Sequence, residues 1–557
     1  MLRKITILSL AIGALASAAN AEVSLKNGNF FTGAKDIVYP GGFEPKIERV
    51  YNSKTSFKGI FGYGWGNEYE VFLTVEADGS VVVREYGGGA ENRFSPVAFK
   101  PEELDGAIAM ISEAAQKAGI IGSTDALTGY KRKLKADASF RNSEWEKFRS
   151  QGKVKARQLA KGMQLHSNRF SYQYITKMDV GYVRVFDNGR VEHFNEEGKL
   201  ARIEDKNHNF IDLTYGNDGH LVKLVDNFNR KMFFTFNAQG LLEKIQGENA
   251  KEATYKYNNL GELVWAKDVD GSIYTYKYDS EKRHNMVEIG YPDKTTMELA
   301  YYPRAQFENV KTVKDRDGTL TEYTYVIDPA DHGHYTVGVT VKNTDGKAIS
   351  SSKYEYMNKH KSDGEEWTYK MITTIDGDRS ETTYNECCGL PLIIKRGAEE
   401  TDFTYDAKGH VTRKITPNDV TELSYDPKVS KVTYVKRSSK SNAKDVAWSK
   451  FQYDDKGNLT FAENSEKKGV RLFYDPNGRI KSMVDQSRRR IDFKYNENSK
   501  PIEITDPSLG TITVSYTNSG EIKKVDSSAG RKIALQVTSA FQNLLDIIRP
   551  AGVTLAF

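Results

Sequence analysis

The sequence predicts a mainly β protein: a tandem array of short antiparallel β-hairpins forming a spiral or partly closed sheet, or shell, with one small basic helical insertion. Two observations carry this reading. Aromatic residues and glycines recur every 21 residues in two separate runs, and between them tyrosine alternates with polar residues. Composition agrees, since 32 Tyr and 26 Phe stand against 14 Pro, and aromatic side chains pack well on a pleated surface.

In the first run Gly198, Gly219, Gly240 and Gly261 are spaced by 21. Phe194, Tyr215, Phe236 and Tyr257 each lie four residues before one of them, and Tyr278 continues the series. Asp205, Asp226 and Asp268 fall on the same grid, with Gly247 in the remaining slot. Far downstream Tyr453, Tyr474, Tyr495 and Tyr516 repeat the spacing, followed by Gly457, Gly478, Ser499 and Gly520. Between the runs the ingredients persist at variable spacing, as in Tyr405-Asp406 with Gly409 and in Tyr425-Asp426. A fixed period of this kind marks stacked units that grow in one direction, so the length of 557 residues sets no domain count.

One unit shows the physics. Leu221 to Val225 is a β-type run that stops at Asp226-Asn227-Phe228-Asn229, and Lys231 to Phe236 is a second that stops at Asn237-Ala238-Gln239-Gly240. Asn, Asp and Gly are the residues that accept positive φ or cap their own backbone, so each unit is two strands and two turns. A lone hairpin is marginal in water, so the units must join. In Tyr274-Thr275-Tyr276-Lys277-Tyr278 and Tyr255-Lys256-Tyr257, alternation sends rings to one face and polar groups to the other. Cross-strand aromatic packing is the first explanation of the ring face; a sugar-stacking platform is the second.

Four segments follow in order. Residues 1–21 read as a secretory signal peptide: Arg3 and Lys4, the apolar run Ile5 to Ala16, then Ala19-Asn20-Ala21 as the cleavage pattern. Residues 22–99 form a β segment. Residues 100–165 form the helical insertion, where Pro101-Glu102-Glu103 opens a helix. Leu127 to Ala138 forms another, and Ser143-Glu144-Trp145-Glu146 reads as a capping box. Residues 166–557 form the hairpin array. Basic charge is local: residues 100–163 hold thirteen Lys or Arg against eight Asp or Glu, while the whole chain is only +5. Lys131, Arg132, Lys133, Lys135, Lys153, Lys155, Arg157 and Lys161 are therefore the candidate anion-binding patch, for lipopolysaccharide, phospholipid headgroups or an acidic polymer; a solvated helical face is the plainer explanation. This segment is expected to cap or plug one end of the array, or to dock it to an envelope surface.

At this point the chain resembles the RHS/YD-repeat family. Tyr405-Asp406-Ala407-Lys408-Gly409, Tyr453-Asp454-Asp455-Lys456-Gly457-Asn458-Leu459 and Tyr474-Asp475-Pro476-Asn477-Gly478-Arg479-Ile480 are similar to the Tyr-Asp-x-x-Gly core of that repeat. Gly33-Ala34-Lys35-Asp36, Tyr51-Asn52-Ser53 and Gly62-Tyr63-Gly64-Trp65 are similar to the region that opens many members. The resemblance implies a β-sheet wound into a spiral, often a hollow cocoon, in toxin-enclosing shells, wall-associated proteins or adhesion molecules. Toxin-carrying members have a C-terminal core motif with paired Asp for self-cleavage and then a variable toxic domain; here repeats are expected to run nearly to Phe557, so neither self-cleavage nor toxicity is carried over.

Sequence chemistry gives no catalytic constellation: there is no His-Glu-x-x-His, Gly-x-Ser-x-Gly, phosphate-binding glycine loop or Cys-x-x-Cys. Cys387 and Cys388 are adjacent and read as two small residues in a strand or turn rather than a redox-active pair. His332 and His334 are the one close histidine pair, and Asp268-Val269-Asp270-Gly271 reads as a turn, not a calcium loop. Strands of about six residues span near 20 Å, short for an outer-membrane barrel. The expectation is an extracytoplasmic protein (periplasm, cell surface or secreted), not an enzyme and without cofactor or metal. Its expected partners are carbohydrate or an anionic envelope surface, not nucleic acid, and it is not an integral membrane protein. The competing function is an enclosing shell or accessory component of a toxin or secretion system.

Overall fold

The computed structural model describes residues 22–39, 43–96, 101–155, 158–167, 173–248, 251–281, 283–362, 364–496, 500–506, 510–516 and 522–528. Residues 1–21, expected as a signal peptide, Arg157, Ser499, Gly520 and residues 529–557 lie outside them. From Phe72 onward the described strands follow one another in chain order as a 36-strand antiparallel sheet. It is not closed into a barrel: the last strand, Ile522–Ser527, pairs with Gly510–Tyr516, and the first, Phe72–Val75, with Val81–Arg84. The sheet instead meets itself near its start, where Phe72 bridges Lys199 and Leu73 N donates to Gly198 O at 2.8 Å.

Both turns of the repeat use one device. At Tyr474–Ile480, Gly478 N donates to Asp475 O at 3.0 Å and Gly478 takes φ +78°. Asp475 Oδ1 accepts from Asn477 N and Arg479 N, each at 3.0 Å, while Oδ2 takes Arg479 Nε at 2.6 Å. The register slips by one at Tyr474, the signature of a glycine bulge after a type I turn. At the opposite end Asp226 repeats the pattern with Phe228 N and Arg230 N, and Asn229 holds the left-handed position at φ +61°. Asp268 spends its carboxylate the same way, on Asp270 N and Ser272 N.

The ladder tyrosines join one repeat to the last. Tyr215, Tyr257, Tyr278, Tyr474, Tyr495 and Tyr516 donate their hydroxyls to the carbonyls of Leu200, Leu242, Leu263, Leu459, Ile480 and Pro501, at 2.7 to 2.9 Å. Each acceptor lies 15 residues upstream. It is the residue paired with the preceding ladder aromatic, as in Phe236↔Leu242, Tyr257↔Leu263 and Tyr474↔Ile480. The variable middle keeps this topology with longer hairpins, including Ala348–His360 at 13 residues.

The chain falls into two compact units. In the first, residues 22–412, the segment before the insertion divides. Glu22–Ser24, Asn29–Val38, Lys46–Asn52 and Trp65–Asn67 form a separate four-stranded sheet, whereas Phe72–Val75, Val81–Arg84 and Glu91–Ser95 already belong to the long sheet. The array thus begins at Phe72, ahead of the insertion rather than after it. The second unit, from Arg413, packs Leu423, Val435, Phe451, Leu472, Met483 and Ile491 on its ring face.

The insertion is three helices: α1 (Pro101–Lys117), α2 (Thr124–Ala136) and α3 (Ala138–Ser150). Ser143 caps nothing, because α3 starts earlier. Asp137 is its N-cap, accepting from Phe140 N at 2.9 Å. Leu104, Ala107, Ile111, Leu134, Trp145 and Phe148 make a core of their own that includes Ala77 of the array's first hairpin turn. Ala138 N donates to Gly364 O at 3.2 Å, so the insertion also touches the turn Lys361–Glu365. Cys387 and Cys388 sit in the turn after Asp378–Tyr384 and are joined as a vicinal disulfide, where two free small residues were expected.

Candidate functional site: the covered ring face

Alternation sorts the array as its sequence predicts. In Lys231–Phe236, Met232 and Phe234 are 1% and 6% exposed while Phe233 is 48% exposed. In Ile273–Tyr278, Tyr276 is buried between exposed Thr275 and Lys277. The ring face of the first unit is the face that the N-terminal sheet covers.

Local sequence explains what the sheet inserts. Lys46–Asn52 alternates, so Ile47, Arg49 and Tyr51 all point inward and are fully buried. Arg49 donates from Nε to Asp36 Oδ2 at 2.7 Å and from Nη2 to Asp36 Oδ1 at 3.1 Å. Its Nη1 reaches Tyr276 Oη at 2.7 Å, and Tyr255 Oη donates to Asp36 Oδ2 at 2.8 Å. Trp65 completes the enclosure, 5.0 Å from the guanidinium. Burial works hardest against the Arg49 charge, but Asp36, Tyr276 and Tyr255 together outweigh it and the net direction is upward. Burial pushes Tyr276 up to about 12. A guanidinium, a carboxylate and two phenols thus satisfy one another where water is excluded.

Further polar pins flank this cluster. Tyr51 Oη donates to His284 O at 2.8 Å and accepts from Met286 N at 3.0 Å; Trp65 Nε1 donates to Tyr278 Oη at 2.9 Å. Tyr63 stacks on His284 with ring centroids 3.8 Å apart. Gly62, at φ +89°, lies so close to the array that a Cβ would overlap the Gly261 carbonyl oxygen. Glu70 accepts from Ile60 N at 2.8 Å and from Asn67 Nδ2 at 2.7 Å; burial pushes both it and Glu68 up to about 7.

Beyond the cover the ring face continues. At the edge of the cover Tyr335 donates to Lys26 O at 2.8 Å and stacks on Tyr356 at 4.9 Å; past it Trp367 meets Tyr369 edge-on at 6.3 Å, and Tyr354 and Tyr384 are half-exposed. The Tyr325 hydroxyl is buried without a hydrogen-bond partner among the described residues.

The predicted repeat residues Tyr215, Gly219, Phe236, Gly240, Tyr257, Gly261, Tyr453, Gly457, Tyr474, Gly478, Tyr495 and Tyr516 occupy the ladder and turn positions above. The predicted cationic patch is not one cluster. Lys131, Arg132 and Lys135 gather beside Asp105, Ile108 and Ala109. Lys133 instead lies over Phe140 at 4.1 Å, Lys153 over Phe148 at 6.0 Å, and Lys161 pairs with Asp179 at 2.6 Å. Lys155 is exposed beyond α3. His334 Nδ1 is 3.5 Å from Asp328 Oδ2, and no group of three metal-binding side chains occurs among the described residues. Arg49 carries no motif that marks it, although the alternation of Lys46–Asn52 places it inward.

Residues 20–94 match a family described as a domain of unknown function, DUF6531, a stretch that coincides with the N-terminal sheet and the first three strands of the array. No curated protein matches the chain. Among solved structures, a TcdB2-TccC3-TEV crystal structure is similar at 12% identity and TM-score 0.42, over 92% of this chain and 28% of that one. A Photorhabdus luminescens Tc holotoxin pore is similar at 12% identity and TM-score 0.40, over 90% and 27%. TcdB2-TccC3 without its hypervariable C-terminal region is similar at 12% identity and TM-score 0.37, over 90% and 28%. This chain therefore spans little more than a quarter of those chains.

Proposed function

We propose that the chain is an exported, non-catalytic YD-repeat scaffold whose ring-bearing face encloses protein, acting as a shell or accessory component of a toxin or secretion system. The observation that carries this is the Asp36–Arg49–Tyr255–Tyr276 cluster, which seats a folded N-terminal sheet on the ring face. The same face continues past that sheet with half-exposed Tyr354 and Tyr384, and it offers this stretch to a further protein segment. Enclosure is favoured over carbohydrate binding because the rings are spent on packing. Ladder hydroxyls are consumed by backbone carbonyls, and Tyr335 and Tyr356 cover each other.

A photo-cross-linking residue at Tyr354 or Tyr384 tests the proposal in the producing cell, with the outer-face neighbours Lys353 and Thr383 as controls. Protein adducts from the ring-face positions alone are expected. Equal adducts from both faces, or glycan binding lost on replacing Tyr354, would overturn it.

A further inference from the structure

We infer that the helical insertion carries a phosphate-binding site, formed by Lys131, Arg132 and Lys135 of α2 over an apolar floor of Ile108 and Ala109 from α1. Lys131 and Arg132 are the i,i+4 and i,i+3 neighbours of Lys135, which brings both beside it, and here that side faces outward: all three cations are exposed, whereas Leu134 alone on α2 is buried. Most other cations of the insertion are already engaged. Lys117 pairs with Glu113, Lys147 with Glu144 and Arg149 with Glu146, while Arg141 is buried and donates to Leu134 O. Lys131 and Arg132 have no ion pair among the described residues. Lys135 has only Asp105 at 3.5 Å, with both side chains more than 60% exposed, a pairing that solvent screens heavily.

Folding alone does not explain this grouping. The helix dipole accounts for Lys133 and Lys135 in the last turn of α2, but its influence fades before Lys131 and Arg132. Like charges at i and i+4, as in Lys131 and Lys135, weaken a helix. An external anion removes that repulsion. The ligand chemistry follows from the donors: one planar guanidinium fork and two ammonium groups around a shallow depression suit a tetrahedral phosphate group, ester or diester. The Ile108 and Ala109 floor takes the apolar edge of the stem that bears it, and Gly106 and Gly129 leave the neighbouring surface open. A phosphorylated small molecule and a lipid headgroup share this chemistry.

The test uses the full chain at low ionic strength, where exposed charges are least screened. Calorimetric titration with inorganic phosphate and with glucose 6-phosphate is expected to saturate. The double variant K131Q/R132Q should weaken it at least tenfold, while K153Q/K155Q, two cations outside the depression, should not change it. Asp105→Asn should tighten binding several-fold, because it removes the one carboxylate at the rim. Circular dichroism melts confirm that each variant is folded. Sedimentation with phosphatidylglycerol vesicles, displaced by phosphate, would assign the ligand as a headgroup; phosphate-ester binding without sedimentation would assign it as soluble. Absence of saturation with every probe overturns the site, as does equal weakening by both double variants.

Discussion

Arg49→Met tests the cluster that seats the N-terminal sheet. The substitution keeps an apolar stem but removes three hydrogen bonds, two to Asp36 and one to Tyr276, and leaves Asp36 with the Tyr255 hydroxyl. Because the Arg49 and Asp36 side chains are both 0% exposed, the stranded carboxylate cannot recover its loss from water. Breaking such a buried pair costs about 3–5 kcal/mol. Hydrogen exchange of the strands Asn29–Val38 and Lys46–Asn52, followed by mass spectrometry, reads this locally. A loss of ~3 kcal/mol in opening free energy accelerates exchange by roughly 100-fold or more. Replacing both partners, Asp36→Leu with Arg49→Met, should restore at least half of the protection, since an apolar pair strands no charge. Exchange within ~3-fold of the parent in Arg49→Met, under about 1 kcal/mol, would refute the reasoning.

Further outcomes follow from the same contacts. Tyr474→Phe removes the hydroxyl bonded to Leu459 O and should cost about 1 kcal/mol in urea unfolding. Phe236→Tyr, placing a hydroxyl on a ladder position that lacks one, should gain up to that amount. Gly62→Ala should undock the N-terminal sheet, seen as faster proteolysis of residues 22–67. Gly377→Ala, at φ +97° in open space, should show only backbone strain of ~1 kcal/mol. Glu68 and Glu70 are raised from an ordinary 4.5 to about 7, so the folded form holds protons that the open form has released. Their stabilisation is whole below pH 4.5 and is lost as pH rises through 7, by at most ~3 kcal/mol each. Exchange in Lys46–Asn52 should therefore be slower at pH 5 than at pH 8 after correction for intrinsic rates, and Glu70→Gln should flatten the difference.

Much of the array was legible because its physics is local. Tyr474-Asp475-x-x-Gly478-Arg479 encodes a turn, a bulge and a capping carboxylate within six residues, and Tyr274 to Tyr278 encodes its two faces by alternation. What escaped the sequence is long-range. Nothing near Asp36 announces a partner in Tyr255, and nothing in Phe72–Ser95 distinguishes strands of the array from strands of the separate sheet. The capping box at Ser143 misled because Asp137, at the start of α3, offers the same acceptor chemistry, a side-chain oxygen for a free backbone N–H, more than a turn earlier. The cations from Lys131 to Lys161 form a run in sequence, but helix geometry and the rings of Phe140 and Phe148 distribute them, leaving three together. The spacing that made the repeat visible also concealed that its longest hairpins, such as Ala348–His360, obey the same topology.

An enclosing scaffold requires one face of the array to be shielded while its other face meets water. Hydroxyl-radical footprinting of the native chain, resolved to single residues, reads this at neighbours of equal intrinsic reactivity: Phe233 is 48% exposed and Phe234 is 6% exposed. Oxidation of Phe233 several-fold faster than Phe234 is the predicted result. Equal rates at the two rings would contradict the two-faced sheet on which the enclosing scaffold depends.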